Sequence, residues 1–318
     1  MPSAPAPETS TELRVELASI LGAEHIDDLT RLSGGASRET WRFRADGRPL
    51  VVQRQRGGDE RDMSVEARVL RAVTASGAPL AELVASGVGA SGASYIVSAA
   101  VEGETIARKI LRDDRFASAR EHLPAQLGEA LARIHTIDPD GIDGVVDVDQ
   151  LELYRVVLDE FGAPHPTFEL AFRWLDDHRP PPTRRTLVHG DFRLGNVMVD
   201  EHGLRAVLDW ELVHAGDPME DLGWLCVRAW RFGGQGPVAG LGRYEQLFEA
   251  YEAESGLPVD AEVVHWWEVL GTLKWGIMCI GQAETHLSGR ARSHELAAIG
   301  RRVCENEYDL FLALEGRW

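Results

Sequence analysis

Apolar positions in the first hundred residues switch between helical and strand-like spacing. Leu13, Leu17 and Leu21 recur at every fourth position, which predicts a helix over residues 11–21. A second stripe, Val65, Val69 and Val73, predicts a helix over 59–76 that ends at Gly77. β-Segments are predicted within 32–44, as two strands around a glycine-rich turn, and at 49–54, 80–88 and 94–101. These elements indicate a small antiparallel sheet with one or two helices.

The remaining two thirds of the chain are mainly helical in pattern. Leu123, Leu127 and Leu131 mark one long amphipathic helix, and 151–178 supplies further helix. Prolines at 180–182 force an extended loop, because each proline restricts its own backbone and that of the preceding residue. Short β-segments are predicted at 186–189, 197–200 and 204–210, before helix resumes at about residue 217.

This pattern predicts an α+β fold with a small amino-terminal sheet lobe and a larger, mainly helical carboxy-terminal lobe. We expect a disordered leader over residues 1–10, an amino-terminal lobe over 11–101 and a carboxy-terminal lobe over 102–318.

Composition excludes several classes of protein. With 44% hydrophobic and 26% charged residues, the chain is typical of a globular protein. Its net charge of −18 would repel a phosphate backbone, so nucleic acid is not an expected partner. The acidity would suit cationic substrates or Mg²⁺, although a solvated acidic surface explains it as well. The sequence leaves the oligomeric state open.

The lack of recognisable targeting signals and the spacing of the cysteines indicate a cytoplasmic protein. No apolar run approaches the roughly 20 residues that cross a bilayer, and residues 1–10 lack the basic and apolar regions of a signal peptide. Cys226, Cys279 and Cys304 are too far apart for a CxxC pair, and we expect buried thiols in a reducing compartment.

A GxGxxG sequence at residues 87–92 resembles a dinucleotide-binding loop only superficially. Such a loop must open a helix whose amino terminus holds a pyrophosphate, whereas residues 93–97 have a β-like pattern. We therefore interpret 87–92 as a hairpin turn.

The residues that suggest chemistry lie in 188–196 and 206–211. Asp191 precedes Asn196 by five positions, and Asp209 ends the next predicted hairpin strand. Phosphoryl transfer requires a group that orients the attacking hydroxyl, which suits Asp191, and hard oxygen ligands for Mg²⁺, which suit Asn196 and Asp209. Taken singly, each of these side chains could merely bond its own backbone in a turn. The order of the three favours a site.

Three motifs resemble those of the aminoglycoside phosphotransferase family of kinase-like enzymes, closest to the branch that contains the kinase-like domains of acyl-CoA dehydrogenase family proteins. They are the segments 189–196, 208–211 and 216–222, and the resemblance extends from about Leu32 to the carboxy terminus. It implies a two-lobed protein-kinase-like fold with ATP in the cleft. It also implies that Asp191 orients the hydroxyl, that Asn196 and Asp209 bind Mg²⁺, and that His189 stabilises the catalytic loop rather than acting as a base.

The resemblance assigns further residues as structural or nucleotide-binding. Asp217 and Asp221 would cap a helix and brace the loop. The turn Ser33, Gly34, Gly35, Ala36 and Ser37 would cover the phosphates. Glu66 would pair with a cation on the strand over 49–54, and the backbone near Ser98 and Ala100 would meet the adenine edge.

The cation on that strand departs from the family pattern. Lysine is usual there, sometimes arginine, whereas this chain has Gln53 followed by Arg54. We expect Arg54 to face the phosphates, but a shift of one residue would place Gln53 there and turn Arg54 away. Glutamine could form hydrogen bonds but could not neutralise phosphate charge, so that register would favour a weak kinase or a pseudokinase.

The expected function is an ATP- and Mg²⁺-dependent phosphotransferase that acts on a hydroxyl of a small molecule, with a hydroxyacyl compound or a related metabolite as the first candidate acceptor. An aminoglycoside kinase and a nucleotide-binding regulatory protein are the alternatives. The helical lobe would form the acceptor pocket. Its tryptophans, which at helical spacing are more often core residues, are Trp224, Trp230, Trp266, Trp267 and Trp275.

Overall fold

A five-stranded antiparallel sheet forms the amino-terminal part of the protein, which is described by a computed structural model over residues 7–32, 38–55, 63–90 and 92–317, with the backbone alone for 7–9. The strands are β1 (Ile26–Arg31), β2 (Arg38–Ala45), β3 (Arg48–Gln55), β4 (Leu83–Val88) and β5 (Ser94–Ala99). They follow the spatial order β1-β2-β3-β5-β4. Helix α1 (Pro7–Leu21) precedes the sheet, and α2 (Met63–Ser76) lies between β3 and β4 in the chain.

The two faces of this sheet pack against different partners. Trp41, Phe43 and Val52 face α1, where they form a core with Leu13 and Leu17. Alternate residues of a strand point to opposite faces, and Ile96 accordingly joins α2 and the helical part of the chain in a second core. The sheet therefore has an outer face covered by α1 and an inner face turned towards α2 and the rest of the protein.

The amino-terminal elements follow the sequence pattern with shifted bounds. Helix α1 begins at Pro7, so the last four residues of the predicted leader are helical, and β1 begins at Ile26, before the predicted strand region. The hairpin predicted at 87–92 is confirmed by the described residues on either side of Ser91, because β4 and β5 pair antiparallel and Gly89 N donates to Ala93 O at 2.9 Å. The predicted phosphate turn, Ser33–Ser37, lies outside the described residues.

Helices dominate the chain after residue 106. They are α3 (Ala107–Arg112), α4 (Ala117–Ile134), α5 (Gln150–Phe161), α6 (Pro166–Asp177), α7 (Met219–Cys226), α8 (Tyr244–Ser255), α9 (Ala261–Leu287), α10 (His294–Gly300) and α11 (Val303–Leu314). The predicted helix over 151–178 is two helices, because Gly162 ends α5 in the left-handed conformation, with φ of 65°, and proline follows at 164 and 166. Central α9 packs against α5, α6, α7, α10 and α11.

Four short strands carry the loops between α6 and α7. These are β6 (Thr186–Val188), β7 (Val197–Asp200), β8 (Gly203–Val207) and β9 (His214–Gly216). β7 pairs with β8 and β6 with β9, both antiparallel. The sequence pattern predicted the first three, whereas β9, with three residues, is too short to show a period.

The burial of the cysteines and the character of the helices bear on two expectations from composition. Cys226 and Cys279 are buried as predicted, but Cys304 is exposed on α11, so that part of the cysteine prediction is wrong. None of the helices in the described ranges combines the length and apolar character that a membrane-spanning helix requires.

The contact between α4 and α8 depends on a glycine. A Cβ atom on Gly128 would lie 2.5 Å from the carbonyl oxygen of Leu247. We expect Gly128→Ala to lower the free energy of unfolding by about 1–2 kcal/mol, because the overpacking cost exceeds the gain of about 1 kcal/mol in helix propensity. Urea denaturation measures this change. Gly141→Ala is the control, since a Cβ there meets open space; equal effects of the two substitutions would contradict the packing argument.

Candidate active site

The loop after β6 is held by one buried carboxylate. Asp221 of α7 accepts hydrogen bonds from the backbone N–H of His189 (2.8 Å) and of Gly190 (2.9 Å), and from Nε2 of His135 (3.1 Å). Burial alone would raise the pKa of Asp221, but the His135 hydrogen bond and its neighbouring charges lower it, so the group stays ionised. Gly190 has a φ of +79°, and a Cβ there would lie 2.5 Å from Leu212 O. The loop therefore requires glycine at this position.

His189 has a structural role in this loop. Its Nε2 lies 3.0 Å from the carbonyl oxygen of Leu208, and its Nδ1 accepts a hydrogen bond of 3.2 Å from the backbone N–H of Asp191. Burial lowers the pKa of His189, which favours the neutral ring with its proton on Nε2. Both nitrogens are engaged by the backbone, so the ring links two loops and is not arranged as a base.

Three donors fix the carboxylate of Asp191. Oδ1 accepts from Nε1 of Trp224 at 2.8 Å and from Nε of Arg193 at 3.0 Å, and Oδ2 accepts from Nδ2 of Asn196 at 2.6 Å. The Asp191 side chain is 15% exposed, so it is oriented by the protein and yet reachable. This is the arrangement that a group orienting a substrate hydroxyl requires.

Asn196 contacts this carboxylate, and the residue that precedes Asp209 is hydrogen-bonded to Asn196. The amide nitrogen of Asn196 donates to Asp191, which leaves the amide oxygen as the atom available to a cation. A backbone hydrogen bond of 2.8 Å from Leu208 N to Asn196 O places Asp209 next to this residue. The structure thus brings together the three residues that the sequence predicted as the centre of the site.

The carboxylate of Asp209 is in an unfavourable electrostatic environment. Burial, together with the charges of Glu211 and Asp191, raises its pKa to about 6. Within the described ranges, no hydrogen bond or ion pair engages this carboxylate. Asp209 has a φ of 63°, a conformation that is uncommon for residues other than glycine. A divalent cation would relieve the repulsion and provide the partner.

The donor set fits Mg²⁺. Across the described residues there is no group of three or more His, Cys, Asp or Glu side chains that could hold a metal ion by themselves. Mg²⁺ does not need such a group, because it is usually bound by one or two carboxylates together with substrate phosphates and water. An amide oxygen and a carboxylate, from Asn196 and Asp209, match that mode.

Within the described residues, a cation that pairs with Glu66 is one that the sequence did not predict. Nη1 of Arg38, the first residue of β2, lies 2.5 Å from Oε2 of Glu66, and both side chains are buried. Nη2 of Arg38 lies 3.8 Å from Oε2 of Glu211, two residues after Asp209. The signal was available only as a basic residue next to the predicted phosphate turn.

The predicted orientation of Arg54 is wrong, and so is its pairing with Glu66. Arg54 lies opposite Tyr95, two residues after Val52, so it is on the same face of the sheet as Val52, which faces α1. Its Nη2 is 3.6 Å from Oε2 of Glu16 in α1. Gln53 lies opposite Ile96 and therefore occupies the inner face, as in the alternative register that the sequence left open.

The predicted adenine edge lies where the chain leaves the sheet. Ser98 is inside the ladder, opposite Val51 and Leu83, and the Ala100 amide donates to Pro49 O at 3.0 Å. The next backbone amide with a partner among the described backbone bonds is that of Glu104, which donates to Val199 O at 2.8 Å. Val101 is thus better placed than Ala100 to offer an amide to a ligand.

Two further residues of the helical part support the loop. Nζ of Lys274, buried in α9, donates to Gly190 O at 3.1 Å and lies 4.7 Å from the centre of the Trp224 ring. Burial alone would lower the pKa of Lys274, but Glu220 and other neighbouring groups raise it, so the ammonium stays charged. Asp217 accepts from Met219 N at 2.9 Å and from the Thr183 hydroxyl at 2.8 Å, which agrees with its predicted capping role.

The tryptophans divide into two groups. Trp230 packs against Trp224 and Trp275, and the Arg193 guanidinium lies 4.8 Å from its ring centre. Trp266 is part of the core around α9, where its Nε1 donates to Leu175 O. Only the first group adjoins Asp191, through the hydrogen bond from Trp224.

Comparison with known proteins identifies the family of this chain. A model of the phosphotransferase enzyme family matches residues 28–257, more than half of the chain. The chain belongs to this family. The resemblance found in the motifs is thereby confirmed, and with it the class of transferase.

Curated relatives of this phosphotransferase-family chain are longer proteins. It is 26% identical over 274 residues to acyl-CoA dehydrogenase family member 10 of Mus musculus, covering 73% of this chain and 24% of the relative. It is 26% identical over 317 residues to family member 11 of Gallus gallus, covering 87% and 40%. The chain spans about a quarter and two fifths of these relatives, respectively. They match the branch that the motifs indicated.

Solved structures share the fold, which confirms the predicted kinase-like architecture. A candidate aminoglycoside phosphotransferase from Ralstonia eutropha JMP134 superposes with a TM-score of 0.73 at 21% identity, covering 96% of this chain and 98% of that one. A thermostable variant of the aminoglycoside phosphotransferase APH(4)-Ia, in complex with AMP-PNP and hygromycin B, gives 0.64 at 17% identity, covering 96% and 98%.

Asp209→Asn should stabilise the metal-free protein at neutral pH. Folding raises the pKa of Asp209 to about 6, so the protein loses stability as this carboxyl ionises between about pH 4 and pH 6. Asparagine removes the charge and tolerates the left-handed backbone. We expect a gain of about 1 kcal/mol at pH 7, reduced by solvent from the full shift, and almost none at pH 4. Urea titrations with EDTA measure the difference. Asp177→Asn, in an exposed position, is the control; an equal gain at both pH values would contradict the electrostatic origin.

Proposed function

We propose that the protein is an ATP- and Mg²⁺-dependent phosphotransferase that phosphorylates a hydroxyl group of a small molecule. The observation that carries this proposal is the carboxylate of Asp191, fixed by three donors next to Asn196 and Asp209. Membership of the phosphotransferase family and the AMP-PNP complex of the APH(4)-Ia relative support the nucleotide.

Each residue has a distinct task in this reaction. Asp191 orients the acceptor hydroxyl and receives its proton as the oxygen bonds to the γ-phosphorus, while the bond from that phosphorus to the bridging oxygen breaks and ADP leaves. Asn196 and Asp209 would hold Mg²⁺, which neutralises phosphate charge when bound. Lys274 and Asp221 keep the loop in place through Gly190.

The nucleotide would lie between the inner face of the sheet and the β7–β8 hairpin. We propose that the backbone near Ser98 and Ala100, extended to Val101, meets the adenine. Gly103 supports this placement, because a Cβ there would lie 2.7 Å from Cγ of Met198 in β7, so the connection passes close to the hairpin. The turn Ser33, Gly34, Gly35 and Ser37 remains our candidate for covering the phosphates, on sequence resemblance alone.

For the acceptor we propose a hydroxyacyl compound or a related metabolite in the cytoplasm. The names of the curated relatives support an acyl compound, and both are acyl-CoA dehydrogenase family members. An aminoglycoside is the second alternative: the negative charges of Asp191, Asp209 and Glu211 would suit its ammonium groups, although Arg193 places positive charge beside Asp191. The third alternative, a nucleotide-binding protein without efficient transfer, is favoured by Gln53 at the inner face of β3.

Asp191→Asn should reduce ADP release with the preferred acceptor by about 10²- to 10⁴-fold, because asparagine cannot take the hydroxyl proton. The measurement is Mg²⁺-dependent ADP release across hydroxyacyl-CoAs, aminoglycosides and sugars, with mass spectrometry of the phosphorylated product. Asp177→Asn on α6 is the matched control and should keep wild-type turnover.

Retention of wild-type turnover by Asp191→Asn would refute the mechanism. ATP binding without Mg²⁺-stimulated release for any acceptor would favour the regulatory alternative.

A further inference from the structure

We propose that Arg38 of β2 is the cation that binds the phosphates of the nucleotide, in place of a basic residue on β3. The inference rests on the proposed function, because it requires a nucleotide in the cleft. It concerns a residue to which neither the motifs nor the family match gave a role.

Strand register places Arg38 on the correct face of the sheet. β2 pairs with β3 in an unbroken ladder, with Arg38 opposite Gln55 and Thr40 opposite Gln53. Residues directly opposite in an antiparallel ladder share a face, and Gln53 in turn shares its face with Ile96 of the inner core. Arg38 therefore lies on the inner face, towards α2 and the loop that contains Asp209.

Two carboxylates from different elements hold the guanidinium there. Glu66 of α2 lies at 2.5 Å and Glu211, after Asp209, at 3.8 Å, and the side chains of Arg38 and Glu66 are 9% and 7% exposed. A buried ion pair is a poor device for stability, because desolvation offsets most of its attraction. The pair is well explained as a means of positioning a positive charge where α2 meets the metal-binding loop.

The guanidinium retains donors for a ligand. An arginine carries five N–H groups in a planar fork, and each of the two carboxylates contacts one nitrogen. A planar fork can donate two parallel hydrogen bonds to phosphate oxygens, which a glutamine amide cannot match in charge or geometry. Arg38 can thus contact phosphate while Glu66 and Glu211 keep it in place.

Strand β3 does not provide this cation in the described structure. Gln53 has the required face but no charge, and Arg54 has the charge but faces α1. Arg42 shares the inner face of β2 but is 46% exposed and pairs with Glu102. Arg38 thus supplies the positive charge that Gln53 lacks. The neutral Gln53 is then a weaker argument for a protein without transferase activity.

Nucleotide binding separates a phosphate contact from a merely structural role. We expect Arg38→Ala to weaken binding of ATP by about 10- to 100-fold and binding of adenosine by less than about 2-fold, because only ATP carries the phosphates. Arg38→Gln, which keeps most of the side-chain volume, should show the same selective loss if the alanine variant is unstable. Arg54→Ala, the control on β3, should bind both ligands as the wild type does. Calorimetric titration measures the affinities, and thermal melting checks the fold.

Moving the charge back to β3 provides a second, independent readout. In Arg38→Ala, adding Gln53→Lys places an ammonium on the same inner face, and we expect it to recover about 3- to 10-fold in ATP affinity with no change for adenosine. Arg54→Lys added to Arg38→Ala, on the opposite face, should recover nothing.

The outcomes distinguish this inference from the function on which it rests. Equal losses for ATP and adenosine in both Arg38 variants, or a selective loss of ATP affinity in Arg54→Ala, would overturn the assignment and leave the proposed function intact. A wild-type protein that binds ATP no better than adenosine would overturn both.

Discussion

The site depends on one buried charge, the carboxylate of Asp221. It accepts two consecutive backbone N–H groups, from His189 and Gly190, and so fixes the point from which the loop turns towards Asp191. Lys274 donates to the carbonyl of Gly190, which ties the next peptide group, Gly190–Asp191, to α9. Buried backbone groups cost free energy when they lack partners, so this loop can exist only where such side chains satisfy it. The carboxylate of Asp191, for which we propose the catalytic role, is thus positioned by α7 and α9 as well as by the loop that contains it.

Negative charge accumulates at the mouth of this loop in a way that favours ligands over stability. The ionised carboxylate of Asp209 lowers the stability of the fold, because it is buried and lies near the charges of Glu211 and Asp191. Arg38 offsets part of this charge from the side of the sheet. The proposed Mg²⁺ would offset more of this negative charge, and electrostatic strain of this kind is common in functional sites.

The predictable parts of the site were those in which chemistry follows from neighbours in the chain. Asp191 and Asn196 lie five residues apart in one turn, and Asp209 ends the adjacent hairpin, so local pattern and motif were sufficient to bring them together. The antiparallel sheet and the hairpin turn at 87–92 were also predictable, since alternation and glycine punctuation are local signals.

The predictions that failed concern residues whose position depends on the face of a strand or on contacts with distant elements. Arg54 and Gln53 differ by one position, and a strand inverts its faces with each residue, so no local pattern could decide between them. Arg38, Trp224 and Lys274 act through partners 28, 33 and 84 residues away in the chain, as the pairs with Glu66, Asp191 and Gly190 show. Side-chain contacts of that separation arise only from the packing of whole helices against the sheet.

The connection between the sheet and the helices has a mechanical consequence. Ala100 is bonded to Pro49 in the sheet, and Glu104 is bonded in both directions to Val199 of the hairpin. Three residues, Val101, Glu102 and Gly103, lie between these two anchors. Any rotation of the sheet against the helices must be absorbed at this link by their backbone dihedral angles. A ligand that accepts a hydrogen bond from the Val101 amide would bind at this link itself. Occupancy of the cleft would then be coupled to the angle between the sheet and the helices.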